Sequence, residues 1–325
     1  MREVPLVSII IPTRNEEKFI EKCLNSIIEN DYPEKEIIVV DGMSDDNTRQ
    51  LVEKYPVRVI DNPDKYTPQA LNKGIRNATG KIIMIAGAHT IYSKNYISSC
   101  VRRIVEDKCD IAGGQVLTIC RTNTSKSKAI AGILSHPFGI GGAKYRLQGN
   151  KEVFVDTVAY GLYKKELFEK AGLFNEKLIR NQDIEMNLRL KKLGARILLV
   201  PEAKAYYYAR NNISSLVRNN FENGFWVLFG RKFAETPFSI RHLVPFFFVL
   251  FLISMIFMFS ILKWLYLPVL ILYVFLDFFS AIQIARNLKD VMSFFWLIIL
   301  FPILHISYGI GSLCGALSFF LKPGK

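Results

Sequence analysis

The chain has 325 residues, enough for two domains, and half of them are hydrophobic. Its five cysteines (Cys23, Cys100, Cys109, Cys120, Cys314) form no CxxC pair, which argues against a zinc-binding or disulfide-framework protein. The net charge of +13 asks for an anionic partner, and long apolar runs make a membrane leaflet or an anionic substrate the expected one, not nucleic acid.

"VSIII" (7–11) is a β-branched strand closed by Pro12. No secretory leader pattern precedes it, so the N-terminal part is expected to stay in the cytoplasm. Helical periodicity follows from Glu16 to Glu29. "EIIVV" (36–40) predicts a second strand, "DGMSDDNT" a polar turn, and a helix continues through about Tyr55. "VRVI" (57–60) is a third strand. "TPQALNKGIRNAT" is a third helix with Pro68 in its first turn, and "KIIMIA" (81–86) is the fourth strand. Short apolar strands alternating with helices predict an α/β fold with a mostly parallel sheet covered on both faces. Ligands of such sheets sit beyond the carboxyl ends of the strands. Those ends read "PTRNEE", "DGMSDD", "DNPDK" and "GAHT", all polar or small.

The first strand is not followed by a G-x-G-x-x-G fingerprint and there is no P-loop, so an ordinary NAD or ATP pocket is not expected. Asp41, Asp45 and Asp46 follow the second strand. A carboxylate there either accepts hydrogen bonds from a nucleotide's base or ribose, or shapes a turn and caps a helix. "NQDIEMNLRL" (181–190) opens a further helix with Asp183 near its start, as a cap or as a proton acceptor.

"RNNISSLVRNNFENGFWVLFGRKF" (210–233) mixes aromatic and basic residues. Its apolar positions suit an interfacial helix or one packed on the soluble domain. From Leu243 to Leu321 only five charged residues occur in 79 positions. Three runs there (243–262, 264–285 and 293–321, the last containing Pro302) meet the length of about 20 apolar residues a crossing needs. The expected organisation is a soluble domain over 1–235 and an α-helical membrane domain over 236–325. Arg231, Lys232, Arg241, Arg286 and Lys289 fit a cytoplasmic placement of the soluble domain, whereas Lys322 and Lys325 do not fit an odd number of spans. Asp277 and His305 are polar groups inside these runs.

"VSIIIPTRNEEKFIEKCLNSI", "EIIVVDGMSDDNT" and "ALNKGIRNATGKIIMI" resemble, in order and spacing, the nucleotide-binding half of family 2 glycosyltransferases. "VDTVAYGLYKKELFEKAGLFNEKL" and "RNQDIEMNLRLKKLG" resemble that family's acceptor-side half. The membrane tail is similar to that of members building cell-surface polysaccharides or lipid-linked saccharides, including succinoglycan-type enzymes. The resemblance implies a GT-A fold and transfer of one sugar, with inversion, from a nucleoside-diphosphate sugar. It places Pro12, Thr13, Asn15 and Glu16 in the first nucleotide-contacting turn, Asp41 on the base, and Asp45 in the next turn. Asp183 matches the catalytic base of the family's "ED" motif, with Gln182 where Glu is usual; Gln182 and Glu185 fall on the acceptor side. A cap would tolerate Asn at 183, whereas a base would not.

The leaving diphosphate needs its charge neutralised, which a divalent cation does in such sites. The family's D-x-D position reads Gly87-Ala88-His89, so the first acid is gone and His89 stands where the metal contact is expected. Gly87 and Ala88 are expected to let the pyrophosphate and sugar approach the backbone. His89 either ligates Mn²⁺ or Mg²⁺, contacts phosphate directly, or is structural; imidazole suits Mn²⁺ better than Mg²⁺. The expected enzyme is a multi-pass cell-membrane glycosyltransferase acting on a lipid-linked acceptor, a polyprenyl phosphate or polyprenyl-linked saccharide. A processive polysaccharide synthase and a non-catalytic nucleotide-sugar-binding subunit are the alternatives.

Overall fold

The computed structural model describes residues 4–209, 211–234 and 240–321. The expected boundary at 235/236, Arg210, and Lys322 and Lys325 of the tail lie outside them. The chain forms two compact units, Met1–Leu117 with Leu147–Tyr207, and Thr118–Arg146 with Tyr208–Lys325.

In the first unit β1 (Val7–Thr13), α1 (Ile20–Ile28), β2 (Lys35–Asp41), α2 (Thr48–Val52), β3 (Arg58–Asp61), α3 (Thr67–Asn77) and β4 (Ile82–Ile85) follow the expected alternation. Then come β5 (Thr90–Tyr92), α4 (Tyr96–Val105) and β6 (Ile111–Ile119). Helices α5 (Ser125–Ile133) and α6 (Pro137–Ile140) belong to the second unit. The chain returns with β7 (Val153–Phe154), β8 (Leu162–Lys164), α7 (Glu166–Ala171), α8 (Gln182–Lys192) and β9 (Ile197–Tyr208). The sheet order is β3-β2-β1-β4-β8-β6-β9-β5, with β7 on β9. β3, β2, β1 and β4 pair in parallel, as expected of strands joined by helical crossovers. β8 joins β4 antiparallel and extends the sheet beyond the parallel half.

Val7, Ile9, Ile10 and Ile11 of β1 are fully buried, each side chain contributing about 1.5–3 kcal/mol on burial. Helix α3 approaches β1 so closely that a Cβ on Gly74 would lie 2.3 Å from Ile10 Cγ2. At the end of the sheet opposite the candidate site, the Glu36 carboxylate accepts from the Ser8 hydroxyl and from the Thr79 amide (2.7 Å) and hydroxyl (2.8 Å). These bonds close that end. Helix α1 begins at Ile20, four residues later than the periodicity suggests, because the Glu16 amide is bonded to Thr48 at the start of α2 and the Glu17 amide to Asp46 in the loop before it.

The second unit adds α9 (Ile213–Phe229), α10 (Val244–Leu288) and α11 (Val291–Leu321). Among the described residues three helical segments, Arg241–Met258, Lys263–Leu288 and Val291–Leu321, are long and apolar enough to cross a membrane. They match the three apolar runs of the sequence. Helix α10 is not a straight rod. At about 1.5 Å per residue Phe248 and Tyr273 would stand about 37 Å apart, yet their rings stack with centroids 4.5 Å apart. Tyr266 Oη likewise donates to Ser254 Oγ at 3.1 Å, and the Phe251 and Tyr266 rings lie 5.1 Å apart. The chain therefore doubles back between Ser254 and Tyr266.

Helix α9 packs on α11 along a seam of glycines. A Cβ on Gly224, Gly311 or Gly315 would fall 2.0, 2.0 or 2.3 Å from the carbonyl oxygens of Tyr308, Phe221 and Phe225. Only glycine permits backbones that close. Ala129, Ile130 and Ile133 of α5 share a core with Ile284, Leu297, Leu300 and Phe301. His305 Nε2 lies 2.8 Å from the Phe138 carbonyl, which can only accept, so Nδ1 accepts from Tyr273 Oη at 2.9 Å. Both ring nitrogens thus serve structural bonds.

Candidate active site

The loops after β1 and β2 are laced together by side chain–backbone bonds. Asn15, in the left-handed region (φ 55°), donates its amide to Ser44 Oγ (3.0 Å), and its Oδ1 accepts the Asp45 amide (2.9 Å). Asparagine is one of the few residues that adopts this φ at low cost. The Glu16 amide donates to Thr48 Oγ1 (2.7 Å) and the Glu17 amide to Asp46 Oδ2 (3.2 Å). Burial alone would raise the Asp46 carboxyl; bonds from the Thr48 hydroxyl and amide and from the Glu17 amide outweigh it and hold the group below its ordinary value. Asp46 therefore organises the turn. Pro12 is half-buried at the end of β1, paired with Val40, and buried Thr13 bonds back to the Ile11 carbonyl (3.2 Å).

Asp41, 3% exposed, accepts from the Ser44 hydroxyl at 2.5 Å and the Ser44 amide at 3.1 Å, one on each carboxylate oxygen. Each oxygen keeps a second lone pair for a ligand donor. Asp45 is exposed at the rim.

The corner after β4 explains its own small residues. Ala86 continues the pairing with β1 through its amide to the Ile10 carbonyl (2.9 Å). The Gly87 amide donates to Tyr92 Oη (2.8 Å), and its carbonyl accepts from the Thr90 amide (3.1 Å) and the Cys23 thiol (3.3 Å). Burial, set against a Thr90 amide and reinforced by the Glu16 charge, pushes that thiol up to about 12. A Cβ on Gly87 would stand 2.7 Å from Tyr160 Cε1. The space where the D-x-D acid would start is thus occupied by the Tyr160 ring, and Ala88 is buried. Restoring the acid is accordingly expected to harm the fold. Gly87→Asp should lower stability by about 1–3 kcal/mol through overpacking, read as a lower thermal midpoint; an unchanged midpoint would mean the ring yields.

His89 Nδ1 lies 3.0 Å from Glu16 Oε1, and the imidazole meets the Tyr207 ring edge-on at 5.5 Å. The two side chains are 34% and 24% exposed, at the mouth of the β1 and β4 loops. An ionised carboxylate only accepts, so with Glu16 ionised Nδ1 carries the proton and the lone pair of a neutral ring sits on Nε2. Among the described residues no group of three or more His, Cys, Asp or Glu side chains is arranged to hold a metal ion. The donor set is this one imidazole with its carboxylate, which suits a cation whose remaining ligands come from a diphosphate and water.

Asp183 and half-buried Gln182 lie in the first turn of α8, after Asn181 at φ 60°. One turn on, buried Asn187 accepts from Tyr163 Oη (3.0 Å) and donates to Thr157 Oγ1 (2.8 Å) and the Val158 carbonyl (3.2 Å), pinning α8 to β8. Positions 183 and 187 share a helix face. Burial first, and the negative charge of Asp183 second, raise the Tyr163 phenol. β8 begins beside the end of β4, with the Ile85 amide on the Gly161 carbonyl (3.0 Å). The Tyr160 ring stands beside Gly87, and Tyr163, three residues on, lies within the electrostatic reach of Asp183. Glu185 has a different place: 1% exposed, its carboxylate is held by Arg189 (2.8 and 3.0 Å), which also binds the Leu173 carbonyl (3.0 Å). Tyr160, Tyr207 and Asn187 carry no signal in the sequence, because half-buried aromatics and a buried amide look like core until their neighbours are known.

The family model for Glycosyl transferase family 2 matches residues 8–172, half of the chain. The chain is also 31% identical over 264 residues to a dolichyl N-acetyl-alpha-D-glucosaminyl phosphate 3-beta-D-2,3-diacetamido-2,3-dideoxy-beta-D-glucuronosyltransferase of Methanococcus voltae, covering 77% of this chain and 81% of that one. The chain belongs to glycosyl transferase family 2. A second relative of this glycosyltransferase is the succinoglycan biosynthesis protein ExoA of Rhizobium meliloti (strain 1021), 27% identical over 244 residues, 72% of this chain and 70% of the relative. Among solved structures, the mannosyltransferase PcManGT from Pyrobaculum calidifontis, in complex with GDP-Man and Mn2+, superposes with a TM-score of 0.59 at 18% identity, over 96% and 88% of the two chains. That likeness shows the fold, GT-A. This family 2 glycosyltransferase is membrane-associated through its apolar helices.

Proposed function

We propose that this glycosyltransferase moves one sugar, with inversion, from a nucleoside-diphosphate sugar to a lipid-linked acceptor. Its catalytic domain, over 1–235, faces the cytoplasm, and its membrane domain, over 236–325, crosses the bilayer three times. The observation that carries the reading is the alignment of the β1, β2 and β4 loops at the carboxyl end of the parallel strands, with Asp183 in the first turn of α8, the helix that Asn187 pins to the adjoining β8. The Methanococcus voltae relative carries a dolichyl-linked phosphate acceptor in its name, which supports a lipid acceptor here. Arg231, Lys232, Arg241, Arg286 and Lys289 flank the apolar helices and support the orientation.

Asp41 and the Ser44 turn receive the nucleoside, and the Pro12–Glu16 turn with Asp45 and the backbone of Gly87 and Ala88 borders the diphosphate. Glu16 fixes the His89 ring so that Nε2 faces that diphosphate. His89 would hold the divalent cation, Mn²⁺ in preference to Mg²⁺, which when bound supplies positive charge to the leaving group. Asp183 accepts the proton of the acceptor hydroxyl as that oxygen attacks the anomeric carbon opposite the departing nucleoside diphosphate. Gln182 borders the acceptor. Attack from that face inverts the centre. Fixing donor and lipid acceptor at one membrane-bound site raises their effective concentration.

Membranes incubated with a panel of radiolabelled nucleotide sugars and then extracted should place label from one donor in the lipid fraction. Chelator should abolish this and Mn²⁺ restore it. Label recovered only in long polysaccharide would favour a processive synthase, and an absence of both transfer and donor hydrolysis would leave a binding subunit.

A further inference from the structure

The second unit holds a cleft that no part of the sugar-transfer reading uses. It is an open cavity of about 510 Å³ lined by Thr122, Thr124, Ser125, Lys126, Asn211, Met292 and Trp296, where the start of α5 meets the start of α11. From this cleft we infer a binding site for the phosphate of an anionic membrane lipid.

Its lining matches that ligand on three counts. First, it carries no acid. A neighbouring carboxylate, Asp290, is already charge-compensated: it accepts from the lining Ser125 Oγ (3.1 Å) and from the Ser293 amide (3.2 Å), and Lys128 lies 3.5 Å away. Secondly, donors converge. Lys126 pairs with no carboxylate among the described residues, and its ammonium sits 5.9 Å from the Trp296 ring centroid. The hydroxyl of Thr122 and the amide of Asn211 add neutral donors of the kind that bind phosphate oxygens. Thirdly, the cleft lies where the apolar surface stops. Met292, Phe295 and Ile299 are large, exposed and apolar on the first two turns of α11 and the turn beyond, while Arg286 and Lys289 stand just before that helix. A phosphate in the cleft would have acyl chains running down that apolar face, with Trp296 at the headgroup level where such rings concentrate. A free nucleotide or sugar would have no use for the apolar track, and a cation would meet Lys126.

The inference does not depend on which acceptor the enzyme glycosylates. It is tested on the full chain in nanodiscs of phosphatidylcholine, with and without phosphatidylglycerol, by native mass spectrometry of retained lipid. Phosphatidylglycerol should be retained over phosphatidylcholine. Lys126→Gln should weaken retention roughly fivefold, the size of one basic residue's attraction to an anionic leaflet, and Lys126→Arg should restore it. A matched thermal midpoint for Lys126→Gln separates this from unfolding; should that variant fail to fold, Thr122→Val replaces it with the same reading. Added polyprenyl phosphate displacing phosphatidylglycerol would support the site and name its source. Equal retention of the two phospholipids, indifference to both substitutions, or full displacement by millimolar inorganic phosphate would overturn it.

Discussion

Asp183→Asn should leave a folded, donor-binding protein whose transfer rate is lower by about 10²- to 10⁴-fold, the range a positioned general base contributes. Asparagine keeps the size and the hydrogen-bonding reach of the side chain but cannot take a proton. The surroundings argue that little else will change. Helix α8 is anchored one turn further on, where Asn187 holds Tyr163, Thr157 and Val158, and again where Glu185 and Arg189 hold the turn around Leu173. Initial rates at saturating donor, alongside a thermal melt and a nucleotide-binding isotherm, check the prediction. Turnover within a few-fold of the parent would remove Asp183 from the chemistry and return it to the role of a helix-start carboxylate.

The second large effect is expected in the apolar unit. Gly311→Val would put a Cβ 2.0 Å from the Phe221 carbonyl oxygen, a backbone atom that cannot rotate away. Gly224 and Gly315 lie in the same seam with contacts as close, so α9 and α11 would have to part along their shared length. Overpacking of this kind costs about 1–3 kcal/mol or more, which corresponds to a midpoint lower by roughly 3–10 °C in detergent solution. Gly311→Ala should fall between parent and Val. A Val variant that melts with the parent would mean the two helices do not meet as described.

The parallel half of the sheet was legible because its strands are buried on both faces and read as unbroken β-branched runs; Val7 to Ile11 is the clearest case. The loops were legible as a set because polar and small residues follow each strand. What could not be read was pairing across the loops. Nothing in the order of residues links Glu16 to His89, 73 positions apart, or Gly87 to Tyr160. The small residue at 87 looked like room for a ligand alone, whereas its Cβ side also makes room for the Tyr160 ring. The resemblance placed Glu185 on the acceptor side with Asp183, yet two positions on a helix turn a side chain to another face, and there Arg189 holds it. The apolar runs were placed by composition alone, whereas the glycine seam between α9 and α11 needed coordinates, since two glycines four apart are common in sequences that never dimerise or pack.

The reversal within α10 has a consequence for biogenesis. In the proposed three-span arrangement this helical hairpin presents only its tip to the far leaflet, and between Met258 and Trp264 that tip carries a single charge, Lys263. Translocating one lysine with no attached hydrophilic loop is a small electrostatic barrier beside the apolar transfer that drives the two legs inward. Insertion of this pair should therefore proceed as one concerted event, with little demand on the machinery that exports polar polypeptide.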